Sequence, residues 1–127
     1  MQCFAKSDRG AVRKENQDRA AGARIRRKGC VVGVVCDGMG GAAGGKLASE
    51  LAASTFLAQF RREMMAGSAV ESAMRAACDA ANQAVYGRAC ADPELRGMGT
   101  TIVAAYVVDA YLSGRMSEED ICKKYQI

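Results

Sequence analysis

Asp37 stands at the C-terminal end of the apolar run Val31-Val32-Gly33-Val34-Val35 and is followed by Gly38-Met39-Gly40-Gly41. A carboxylate at the end of a buried strand either caps a turn or binds something. Asp-Gly is among the commonest turn dipeptides, so both readings stand for Asp37 alone. A second polar cluster, Asn16-Gln17-Asp18, lies upstream, preceded by a lone arginine, Arg13. Two carboxylates from neighbouring strand ends plus an arginine would make a hard-cation and phosphate site. Mg²⁺ and Mn²⁺ prefer oxygen ligands and retain waters, and the guanidinium fork matches a phosphate. The chain has no histidine, which removes Ser-His-Asp and Cys-His catalysis and His-ligated zinc.

These residues need elements to hold them. Gln2 to Lys6 alternates apolar and polar side chains, a pattern that predicts a short strand turning at Ser7-Asp8-Arg9-Gly10. Arg13 to Asp18 is too polar for a core element. Val31 to Val35 is β-branched and continuously apolar, the pattern of a central strand covered on both faces. It is expected to stop at Asp37 and to pass into a glycine-rich loop through Gly45. From Lys46 to about Arg62 the spacing is helical, with Leu47, Ala48, Leu51, Ala52, Phe56 and Phe60 on one face. Gly67-Ser68 should break and recap the chain ahead of a second helix, about Ala69 to Ala89, whose apolar side carries Val70, Met74, Ala77, Ala81 and Val85. Gly97-Met98-Gly99-Thr100-Thr101 leads into a β-rich run, Ile102 to Val108, and Ser117 opens a last short helix with three acids in its first turn.

With 127 residues, half of them hydrophobic, one domain can pack a core without disulfides. Six cysteines accompany no export signal and form no C-x-x-C pair, so free thiols acting as small hydrophobes are expected, Cys36 and Cys78 among them. No run is long enough to span a bilayer, and a cytoplasmic location is expected. The net charge of +4 is modest, with Arg24, Arg26, Arg27 and Lys28 clustered before the apolar run. That cluster reads first as a solvated loop between strands, second as a phosphate-attracting rim, and last as a nucleic-acid contact, because no aromatics are interleaved with it.

Five segments in order, Ser7-Asp8-x-Gly10, Arg13-x-x-Asn16-Gln17-Asp18, Val34-Val35-Cys36-Asp37-Gly38-Met39-Gly40-Gly41, Gly44-x-x-x-Ala48-Ser49 and Gly97-Met98-Gly99-Thr100-Thr101, resemble the motifs of PP2C-type (PPM) metal-dependent protein serine/threonine phosphatases, especially bacterial ones. The resemblance covers roughly residues 1 to 108. It implies an α/β (α+β) fold, the N-terminal half of a β-sandwich flanked by two antiparallel helices. It further implies that Asp37 bridges two Mn²⁺ or Mg²⁺ ions with the Gly38 carbonyl as a further ligand, that Asp18 belongs to the metal site, and that Arg13 clamps the substrate phosphate. The chemistry implied is hydrolysis of phosphoserine or phosphothreonine in proteins phosphorylated by a serine/threonine kinase, by water activated at the metal pair. The family's later carboxylate motifs have no match here, so a truncated domain over residues 1–109 with an incomplete metal site is expected. Residues 110–127 are expected to be an unrelated or degenerate helical tail, either weakly similar to the opening of a transposase helix-turn-helix or an ordinary amphipathic terminal helix. Half a sandwich would leave one sheet face open, so self-association through that face is expected.

Two other functions compete. Gly40-x-x-x-x-Gly45-Lys46 lies between a strand and a helix, as a P-loop requires, although Leu47 stands where Ser or Thr would hold Mg²⁺. A non-catalytic module that binds phosphoprotein or a partner is the other alternative.

Overall fold

In the computed structural model, residues 4–11, 15–108 and 114–125 are described. The elements run β1 (Asp18–Ile25), β2 (Cys30–Met39), α1 (Gly41–Met65), α2 (Val70–Ala91), β3 (Gly99–Thr100), β4 (Val103–Val108) and α3 (Glu118–Tyr125). The fold is the expected α/β one: an antiparallel sheet with helices, built around β2. On one edge β2 pairs with β1, from Asp18 opposite Asp37 to Ile25 opposite Cys30. A 3-10 turn, Arg26–Lys28, and Gly29 in the left-handed region close this hairpin. On its other edge β2 pairs with β3 and β4 in one continuous register, Gly38 opposite Thr100 and Val35 opposite Val103.

Side chains alternate across a strand, and β2 shows this directly. Cys30, Val32, Val34 and Cys36 are buried, whereas Val35 and Met39 are 53% and 57% exposed. The apolar run is therefore central in the sheet but covered on one face only, against the expectation of cover on both. A continuous β-branched stretch records hydrophobicity on both faces without recording what lies over each.

The covering layer is α1, with α2 packed against it. Phe56 and Phe60 are fully buried and stack with centroids 6.2 Å apart. Ala48, Ala52 and Ala53 on α1 and Ala73, Ala77 and Ala81 on α2 are buried, and such small side chains let the two helices approach closely. Val70 and Val85 are buried as the helical spacing predicts, with Met74 packed at the margin. In α3, Ser117 accepts from the Asp120 N–H at 3.2 Å and donates to its carboxylate at 2.8 Å, the expected cap. Ile121 joins α3 to the core.

Several local expectations are corrected. Residues 1–3 lie outside the described set, and Phe4 to Lys6 are exposed and irregular rather than a strand. The glycine-rich loop shrinks to Gly40, because Asp37 to Met39 remain in β2 and α1 already starts at Gly41. Ser68 does not cap α2; its hydroxyl donates to Glu63 at 2.7 Å, and the N-cap residue is Ala69. Cys78 is exposed rather than packed in a helix interface, and the described cysteines, Cys30, Cys36, Cys78, Cys90 and Cys122, are free thiols.

Candidate active site

The antiparallel register places Asp18, the first residue of β1, directly opposite Asp37, near the end of β2. Directly opposed residues share a sheet face, with Cβ atoms about 5 Å apart. Both aspartates are exposed on the face that the helices leave open. The two carboxylates thus come from the start of one strand and the end of its neighbour. Arg13 lies outside the described residues.

Each aspartate is fixed through its backbone. The Asp18 N–H donates to the Asn16 side chain at 3.0 Å, and Asn16 in turn donates to the Ser7 hydroxyl at 2.7 Å. On the other strand the Asp37 N–H donates to Thr101 Oγ1 at 3.1 Å, and the Thr101 N–H donates to the Asp37 carbonyl at 2.9 Å. Thr101 lies between β3 and β4, so its hydroxyl carries the ladder across the gap. Gln17 ties the two elements together. Its carbonyl accepts from the Gly38 N–H at 3.1 Å, and its side-chain amide donates to the Gly41 carbonyl at 2.6 Å.

The glycines explain how α1 comes so near the carboxylates. A methyl group at Gly38 would run into the Gly45 carbonyl and lie 2.8 Å from the Gln17 carbonyl oxygen. Gly40, at φ 128°, turns the chain from strand to helix where a Cβ would sit 2.6 Å from the Met98 Cα. These close approaches need glycine. The same geometry removes the P-loop reading: Gly41 to Lys46 are helical, and Gly44 and Gly45 are buried against Met98 and Gln17, leaving no open loop to wrap a phosphate.

The nearby thiol offers no nucleophile. Cys36 is buried on the opposite face of β2, and burial pushes its thiol up from the ordinary value, which keeps thiolate scarce.

Opposed carboxylates are mutually repulsive, and a hard divalent cation is the ligand that suits their oxygens. The donor set fits such an ion in kind. In number it falls short of enclosing one, since no group of three or more His, Cys, Asp or Glu side chains able to hold a metal occurs among the described residues.

A family model described as protein phosphatase 2C matches residues 9–114. The chain belongs to the protein phosphatase 2C family. Among its relatives, the serine/threonine protein phosphatase PstP of Mycobacterium tuberculosis is 39% identical over 101 residues, covering 79% of this chain and 18% of PstP. The serine/threonine phosphatase Stp of Listeria monocytogenes is 29% identical over 112 residues, covering 87% of this chain and 44% of Stp. The crystal structure of PstP from M. tuberculosis superposes with a TM-score of 0.61 at 26% identity, covering 93% of this chain and 61% of that one. The chain therefore spans less than half the length of these two curated relatives and corresponds to the N-terminal portion of the phosphatase 2C fold.

Seen as a member of the family, the chain holds its motif residues in two layers. Asp18 and Asp37 face outward, while Asn16, Gln17, Gly38, Gly45 and Thr101 form the frame behind them. The sequence marked Gln17 and Thr101 only as motif members. Their positioning work depends on backbone partners that appear only once the register is known.

Proposed function

We propose that the chain carries one part of a phosphoserine/phosphothreonine hydrolase site, and that its own catalytic capacity is impaired. The observation that carries this reading is the Asp18–Asp37 juxtaposition on the open sheet face. Asp18, Asp37 and the Gly38 carbonyl would hold Mn²⁺ or Mg²⁺, and Arg13 would bind the substrate phosphate. A bound divalent pair supplies activation of water and neutralisation of the charge that develops on a phosphoryl group. Thr101 holds the Asp37 backbone on one side of β2, and on the other the Gln17 carbonyl accepts from the N–H of the next residue, Gly38. Substrates would be proteins phosphorylated on serine or threonine, the products of a protein kinase, met in the cytoplasm. Among the described residues no helix is long and apolar enough to cross a membrane.

The phosphatase part extends over residues 1–109 in this reading, with 110–127 a short helical tail, and the family match ending at residue 114 supports a border in that region. The open face would also be a self-association surface, since Val35, Met39 and Val103 are exposed on it.

A second reading, a phosphoprotein- or partner-binding module without turnover, is favoured by the small number of carboxylates around Asp37 among the described residues. Calorimetric titration with Mn²⁺ and hydrolysis of p-nitrophenyl phosphate separate the two. Mn²⁺ binding that is lost in Asp37→Asn supports the metal site, and Asp37-dependent hydrolysis supports the enzyme. Metal binding without hydrolysis supports the module. No Mn²⁺ binding by a folded chain overturns the site.

A further inference from the structure

At the end of the β1–β2 hairpin farthest from the carboxylates, four arginines surround one cavity. Arg24 at the end of β1, Arg26 and Arg27 in the 3-10 turn, and Arg61 in the last third of α1 line a space of about 240 Å³ together with Ile25 and Met65. Two elements remote in sequence, the hairpin turn and α1, thus border the same space with exposed arginines.

No acidic residue lines this cavity among the described residues. Glu63, the acid on α1 nearest in sequence to Arg61, is engaged by Gln59 at 2.9 Å and Ser68 at 2.7 Å. The guanidinium groups of Arg26, Arg27 and Arg61 make no hydrogen bond or ion pair with any described residue. Folding therefore sets Arg26, Arg27 and Arg61 beside the buried, apolar Ile25 without a counter-ion among the described residues. Like charges held together oppose folding, and an anion bound among them stabilises the folded state by mass action.

The shape and chemistry narrow the anion. Guanidinium forks pair with the oxygens of phosphate in parallel, charge-assisted hydrogen bonds. At roughly 30 Å³ per water in the liquid, the cavity has room for a phosphate group and several waters, but not for a folded partner. We propose that this cavity is a second anion site, which binds a phosphate dianion, the chemistry shared by inorganic phosphate and a phosphorylated side chain. It is separate from the aspartate pair: Ile25 is seven residues along β1 from Asp18, which is about 23 Å at roughly 3.3 Å per residue.

The test follows backbone amide shifts of the whole chain in EDTA, so that the carboxylate site holds no metal. The probes are inorganic phosphate, a phosphoserine peptide, the same peptide without its phosphate, and sodium chloride at matched ionic strength. Phosphate should shift the amides of Ile25, Gly29 and Met65 saturably and raise the melting temperature. The double variant Arg27→Ala/Arg61→Ala should weaken binding on the order of tenfold or more, and Arg61→Lys, which keeps charge but loses the fork, should fall between. A phosphopeptide that binds at least tenfold tighter than free phosphate identifies the ligand as a phosphorylated segment, and equal affinities identify it as the free ion. Shifts reproduced by chloride, by the unphosphorylated peptide, or confined to residues 15–18 and 37–41 overturn the proposal. If the double variant does not fold, the position of the shifts in the unaltered chain decides.

Discussion

Cys30, Val32, Val34 and Cys36 leave β2 on one side and are buried beneath α1, while Val35, Asp37 and Met39 leave it on the other and stay exposed. Adjacent residues of one strand thus serve two purposes. The covered side supplies the packing that fixes β2. The open side carries a carboxylate whose position is inherited from that packing, although Asp37 contributes no apolar contact itself. Such a site is only as rigid as the core behind the strand.

Removing the core should break the comparison most severely. Phe56→Ala deletes a fully buried ring that stacks on Phe60, and a loss of about 3–5 kcal/mol is expected by urea unfolding. Mn²⁺ binding at Asp37 should disappear along with the fold. A smaller loss would show that α1 collapses onto the sheet more readily than its packing implies. Gly38→Ala comes next, because its methyl group meets the Gly45 and Gln17 carbonyls. A cost of about 1–3 kcal/mol is expected from overpacking between backbones. Since relief requires β2 or α1 to move, Mn²⁺ affinity should fall even in the molecules that remain folded. Unchanged affinity would separate the helix from the site.

How much of this was legible in the sequence differs by element. The faces of α2 follow from its 3.6-residue spacing, and the ordered motifs located Asp18 and Asp37 together with the family and fold. β1 was not legible. Its sequence, Asp18-Arg19-Ala20-Ala21-Gly22-Ala23-Arg24-Ile25, is poor in β-formers, and it is a strand because β2 offers it a pairing edge. The start of α1 was also hidden, since glycines that signal a loop locally are used here for close approach to Gln17 and Met98. The carboxylate pairing itself depends on register, which no local pattern of β1 specifies.

The two smaller effects lie on the site's side of the strand. Thr101→Val keeps the shape but removes the acceptor for the Asp37 N–H. About 1 kcal/mol of stability should be lost, with a measurable decline in Mn²⁺ affinity. If stability falls and affinity does not, the Asp37 backbone is held sufficiently by its β1 partner. Replacing Val35 and Val103 together by threonine should change monomer stability least, by roughly 0.5 kcal/mol or less, because both are exposed. The same pair of changes should nevertheless reduce self-association in sedimentation equilibrium, since the side chains sit opposite each other across β2 and β4 and remove apolar area from one patch. Association that survives the double change would move the contact surface away from the open face, and would leave the carboxylate side of β2 accessible to a phosphorylated substrate in the oligomer.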